Sequence, residues 1–180
     1  IGAGHLNGMA QQLETQSIVD PDERIARLDT IPMSSKWIKY IPWMIVTLIL
    51  IGFAIGFMRS PEMGTTMVIE WIVINGGLSA LGAAIAFAHP LSILTAFLAA
   101  PLTSLNPTIG AGMVVAAVEA YLRKPKVGDF NRLRSDTTSL KGWWSNQVTR
   151  ILLIFILSTL GSAIGTYVAG FRIFEQLSSS

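Results

Sequence analysis

Residues 41–58, IPWMIVTLILIGFAIGFM, contain no charged side chain, and their reading decides the fold. As an α-helix these eighteen residues cover roughly 27 Å, close to the ~30 Å hydrocarbon core of a bilayer. Trp37, Tyr40 and Trp43 gather at the start, where the amphipathic rings of a membrane-interface belt belong. Arg59, Ser60, Pro61 and Glu62 end the stretch. The segment reads as a membrane helix.

Composition extends that reading to the rest of the chain. Of the 180 residues, 51% are hydrophobic and only 13% charged, against about 25% charged in a typical soluble domain. The apolar residues come in long blocks. The second block, 67–88, holds Glu70 and Asn75 and a middle of small residues, and His89-Pro90 stops it. Two shorter blocks, 91–105 and 107–122, meet at Leu105-Asn106-Pro107. Each would be roughly 23 Å long as a helix, short of the bilayer core. They form a hairpin that either crosses a thinned bilayer or turns back as a re-entrant loop. Pro101 should kink the first arm, and the backbone groups it frees call for shielding by protein. A basic loop, 123–145, precedes the last block, 147–171. The fold class is therefore an all-α membrane protein with about five transmembrane helices, segments three and four forming a short hairpin.

Residues 1–36 are polar and too short for a core of their own. A short helix is expected over 9–17, and Asp20-Pro21 reads as another helix start. The chain opens at Ile1 without a charged-then-apolar leader. It reads as a fragment, with 1–36 the end of an upstream soluble domain plus linker and 37–180 the membrane domain. Six Lys/Arg between 123 and 145, with Lys36 and Lys39, place those segments and the N-terminus on the cytoplasmic side of a multi-pass cell-membrane protein.

Few side chains can carry chemistry. With no cysteine, disulfides and Cys-based zinc sites are excluded. The net charge is only +2, and the basic loop lacks the interleaved aromatics of a nucleic-acid surface, so no nucleic-acid partner is expected. Gly2-Ala3-Gly4-His5-Leu6-Asn7-Gly8 presents a histidine on a flexible turn shaped by Gly2, Gly4 and Gly8. That histidine is either a metal or proton-transfer group or a plain turn residue. One histidine cannot make a zinc site, which needs three or four protein ligands. Within the apolar part, Glu70, Asn75, His89, Asn106, Glu119 and Asn146 are polar groups that hydrocarbon tolerates only when they are paired. Glu70 can snorkel, His89 can cap the second helix, and Glu119 can pair with Arg123 at i,i+4. Asn75 and Asn106 look deeper, as interhelical hydrogen-bond glue or as substrate contacts. His89, Glu119, Lys124 and Asn146 should converge near the inner face with Asp129 and Arg150, as a lock or as a site. The small-residue pairs Gly52/Gly56, Gly82/Ala86, Gly112/Ala116, Gly161/Gly165 and Ser158/Ser162 suit a compact bundle or a homo-oligomer.

Four stretches resemble a known family: GAGHLNGM at 2–9, HPLSILTAFLAAPLTSLNP at 89–107, VEAYLRKPKVGDF at 118–130 and LGSAIGTYVAG at 160–170. The chain resembles the C-terminal part of the TraB/PrgY family, the pheromone-shutdown proteins, which are related to the Tiki and GumN-like proteins proposed as metal-dependent peptidases. Two GxxH motifs and a glutamate mark that group, and Gly2 to His5 matches the second GxxH. The resemblance implies a metal-ligating or catalytic His5, a divalent metal in the intact protein and none in this chain alone. It also implies a hydrophobic peptide as partner; Asn75, Asn106, His89, Glu119 and Asn146, read from the residues themselves, are the substrate-binding candidates. A non-enzymatic scaffold or peptide receptor is the other reading.

Overall fold

A computed structural model describes residues 6–15 and 36–179, which are mostly helical and include no strand. Two compact units divide between Ile38 and Lys39. The first contains helix α1, Leu6–Thr15, and a 3-10 turn, Lys36–Tyr40, runs across the division. Gly8 lies inside α1, past the turn it was expected to shape. Gly2, Gly4, His5 and the helix start expected at 20–28 lie outside the described residues.

The second unit is a helical bundle. Its elements are α2 (Ile41–Arg59), α3 (Pro61–Ile85), α4 (Pro90–Thr103), α5 (Ala111–Leu122), α6 (Val127–Asp136), α7 (Leu140–Ser145) and α8 (Gln147–Ser179). All five apolar blocks are helical, but the bounds differ from the sequence reading. α3 begins six residues before 67, because Ser60 accepts the Met63 N–H at 3.1 Å and Pro61 takes the first helical position. The basic stretch 123–145 contains two short helices, α6 and α7, in place of a plain loop. α8 continues past 171 to Ser179 and is about 50 Å long.

Among the described residues three helices, α2, α3 and α8, are long and apolar enough to cross a membrane. Large apolar side chains cover their outward faces: Leu48, Phe57, Ile69, Leu81, Leu160 and Phe171 are all exposed. Water penalises a coat of that size, whereas lipid does not. α4 and α5, with 14 and 12 residues, reach only about 21 and 18 Å. The hairpin they form therefore stops partway along α3. Its far end packs beside Trp71, ten residues or about 15 Å short of Pro61.

α3 is the central helix, flanked by α2, α4 and α8. Two apolar clusters bracket it. Near the Pro61 end, Ile49, Met67, Trp71, Ala169 and Ile173 pack together, with Phe53 edge-on to Trp71 at 5.9 Å. Near the Ile85 end, Ala83, Ala86, Ala88, Ala96, Val115 and Ile154 form the second.

Candidate functional site

The α3–α8 seam is where the small residues act. A Cβ on Gly82 would strike the Leu157 carbonyl, and one on Gly161 the Leu78 carbonyl. One on Gly165 would lie 2.7 Å from Asn75 Cα. With the two backbones this close, polar side chains reach across. The fully buried Asn75 donates to Thr166 Oγ1 at 2.9 Å and accepts from Ser162 Oγ at 3.1 Å, and Ser79 donates to the Ser158 carbonyl at 3.1 Å. Asn75 is thus interhelical glue. Gly112 likewise seats α5 on Phe155 of α8, and Gly52 and Gly56 meet Ile173 and Met67. The small residues of these pairs pack inside one chain.

Pro101 sets the hairpin's far end. It has no N–H, so the Phe97 carbonyl one turn earlier loses its helical partner and lies against Gly76, where a Cβ would sit 2.5 Å away. The Pro101 carbonyl accepts from buried Trp71 Nε1 at 3.0 Å. Trp71 carries no polar signal in the sequence, so its role in holding the hairpin was missed. Beyond it the chain turns through Asn106, whose Oδ1 accepts from Thr108 N at 3.0 Å and Oγ1 at 2.6 Å. Asn106 is exposed at the tip and not in the packed interior, as its position in an apolar run had suggested.

Beside this tip is an open cleft of about 300 Å³ between the hairpin, α2 and α8. Ser104, Asn106, Thr159, Ser162, Thr166 and Tyr167 give it hydrogen-bonding groups, and no charged residue lines it. Ser162 and Thr166 hold Asn75, which lies about 21 Å along α3 from Pro61 and about 15 Å from Ile85. The cleft therefore sits near the middle of α3. An apolar slot of about 470 Å³ between α2 and α8 shares Ile45, Thr166 and Tyr167 with it, so the two adjoin, and cleft and slot are together called the groove below.

The Ile85 end carries two polar clusters. α3 closes at Phe87 with φ 56°, a left-handed conformation that disfavours a side chain other than glycine's. The fully buried Glu119 pins this turn: its Oε2 accepts the His89 N–H at 2.8 Å, and its Oε1 pairs with Arg123 at 3.2 Å. Arg123 also donates to the Phe87 carbonyl at 3.0 Å. His89 caps the start of α4, accepting from Leu91 N at 3.2 Å, and does not cap the second helix. Replacing Phe87 by glycine should relieve the turn and raise stability by about 1 kcal/mol, read from the midpoint of unfolding in SDS-doped micelles. A lower midpoint would mean that the ring's contacts outweigh the strain.

In the second cluster, buried Asn146 caps α8 through Val148 N at 2.9 Å. It donates to the Asp129 carbonyl at 2.7 Å and to Asp136 Oδ2 at 2.8 Å. Asp129 in turn caps α6 through Lys126 N at 2.9 Å and pairs with Arg132. Trp144 links the clusters, donating to the Ile85 carbonyl at 2.9 Å while its own carbonyl accepts from Arg150 at 2.7 Å. Lys124, expected to converge here, is exposed, with its Nζ 6.0 Å from the Tyr121 ring centre. Among the described residues no three His, Asp or Glu side chains come together as metal ligands. A metal at His5 would need ligands from outside this part of the chain.

These features define a class: an all-helical bundle with three membrane-length helices and a short hairpin, with a proline inside its first arm, locked at its base. Residues 37–178 match the family model for the C-terminal domain of TraB family proteins, and the chain belongs to that family. It is also 31% identical over 176 residues to an uncharacterized protein of Methanocaldococcus jannaschii. The match covers 93% of this chain and 43% of that relative, so the chain spans less than half the relative's length. No solved structure matches it.

Proposed function

We propose that this chain is the membrane domain of a larger TraB family protein, anchoring an upstream domain and receiving a small hydrophobic peptide in the groove at the hairpin tip. α2, α3 and α8 cross the cell membrane, and α4–α5 enters and leaves as a re-entrant hairpin from the cytoplasmic face. On this reading Lys36, Lys39 and the basic α6–α7 segment are cytoplasmic, as is the upstream domain. One observation carries the proposal: an uncharged hydrogen-bonding cleft at mid-helix lies beside an apolar slot with which it shares lining residues. A peptide dissolved in the bilayer has apolar side chains for the slot. Its backbone amides find no water partner in hydrocarbon and gain one in the cleft. Asn106 presents its Nδ2–H pair at the edge, while its Oδ1 accepts from Thr108.

Asn75, His89, Glu119 and Asn146, the other candidates for substrate contact, support the groove by holding its walls. His5 belongs to the upstream domain's chemistry on this reading. The family resemblance supplies its role there, as a ligand or catalytic group of a metal-dependent peptidase.

The two halves of the proposal separate in one experiment on the intact protein. Asn106→Leu with Tyr167→Phe should weaken binding of a fluorescent hydrophobic peptide roughly tenfold, by removing two hydrogen-bonding groups, without lowering the unfolding midpoint by much. His5→Ala should leave binding unchanged and abolish hydrolysis. Unchanged binding in the cleft variant would end the groove reading, and unchanged hydrolysis in His5→Ala would end the catalytic one.

A further inference from the structure

The α6–α7 segment carries a surface that the fold does not use. Its two carboxylates are engaged within the fold: buried Asp129 accepts from Lys126 N and pairs with Arg132, and half-buried Asp136 accepts from Asn146. Arg123 and Arg132 pair with Glu119 and Asp129. Lys124, Lys126, Arg134 and Lys141 are all exposed and form no ion pair with any described residue. The charges on this segment left without an ion-pair partner among the described residues are therefore all positive.

Large apolar side chains stand among those cations. Val127, Phe130 and Arg134 share one face of α6 at i, i+3 and i+7. Val127 is 78% exposed, and Leu140, beginning α7, is 82% exposed. Phe130 and Tyr121 are exposed as well. A soluble face would not hold apolar side chains this far out, and a purely hydrocarbon-facing one would not hold four unpaired cations. Both belong together at the boundary where acyl chains meet headgroups. The bond from Trp144 to the Ile85 carbonyl ties this segment to the end of α3, where a spanning helix leaves the hydrocarbon.

We propose that Lys126, Arg134 and Lys141, with Val127, Phe130 and Leu140, form a docking surface for anionic phospholipid headgroups, the apolar side chains entering the acyl boundary. This rests on α2, α3 and α8 crossing the membrane and is independent of the peptide groove. Clustered cations beside a spanning helix attract anionic lipid, and the effect screens out with salt.

The full chain, in micelles doped equally with phosphatidylglycerol and phosphatidylcholine, tests this by native mass spectrometry of the retained lipid. The wild type should prefer phosphatidylglycerol. The triple variant Lys126→Gln, Arg134→Gln, Lys141→Gln should lower that preference by roughly a hundredfold. The triple Lys/Arg exchange should keep it, which separates lost charge from lost fold, and Arg172→Gln at the other end should change nothing. Equal retention of the two lipids by the wild type would overturn the proposal. So would a preference seen in this chain that vanishes in the intact protein, because the upstream domain would then cover the surface.

Discussion

Gly161→Val should unfold most of the bundle at detergent concentrations where the wild type stays folded. The reason is the identity of the atoms in the way. At Gly161 a Cβ would collide with the Leu78 carbonyl, and Ser79 Cα would be 3.0 Å away. These are backbone atoms of α3, and a helix cannot swing one carbonyl aside as a side chain can change rotamer. α3 and α8 would have to separate along their length. That breaks the Asn75–Thr166, Asn75–Ser162 and Ser79–Ser158 bonds, which act only at close approach. Overpacking alone costs about 1–3 kcal/mol, and the loss of the seam adds to it. Gly77→Val and Gly170→Val are the matched controls, because a Cβ at either position meets nothing within 4 Å. They should shift the SDS unfolding midpoint only slightly. If all three valines cost the same, helix propensity and not the seam would explain the effect.

The same glycines show how much of the fold a reader of the sequence could see. The five apolar blocks and the four-residue spacing of Gly161/Gly165 and Ser158/Ser162 are plain in the sequence, because lipid imposes length and close packing imposes small residues. Spacing does not say which helix comes close. These pairs suited a homo-oligomer equally well, whereas here they pack within one chain. The bounds of α3 were also within reach, since Ser60-Pro61 is a helix-start signal that was assigned to the end of the helix before it. The depth of Asn106 was not. An asparagine in an apolar run looks embedded until one knows that the hairpin turns there and that its amide caps that turn through Thr108.

The candidate site was legible to a similar degree. Glu119 and Arg123 pair at the i,i+4 spacing that the sequence offers. That this pair reaches a turn thirty-odd residues away depends on α5 lying beside α4, which no local pattern encodes. The groove has no signature of its own. Its lining comes from apolar residues of α2 and from the hairpin tip and α8, whose Ser, Thr and Asn read locally as helix solvation or turn chemistry. Trp144 is similar: an interfacial aromatic by composition, it also joins α7 to the end of α3.

Glu119→Leu is the second change expected to have a large effect, and it tests whether the hairpin base is a lock. Leucine fills a similar volume, so little of the loss comes from packing. What is lost is both carboxylate contacts at once. The His89 N–H keeps no acceptor inside the bundle, and Arg123 loses its counter-ion beside the Phe87 carbonyl. Removing one partner of a buried pair costs about 3–5 kcal/mol because the other is left uncompensated. Glu119→Gln should cost about half as much, since its amide oxygen can still accept from His89 while the charge for Arg123 is gone. The pair is separable from the turn by a double-mutant cycle: with Arg123→Met already present, Glu119→Leu should cost less than in the wild type. The loss should also be local. Amide exchange should rise first across 86–92, where the left-handed Phe87 turn is no longer clamped, while the Asn75 seam stays protected until global unfolding. Exchange rising uniformly over α3 and α8 would mean that Glu119 supports the whole bundle and not the hairpin base. A cost below about 1 kcal/mol would mean that its two contacts add little to stability.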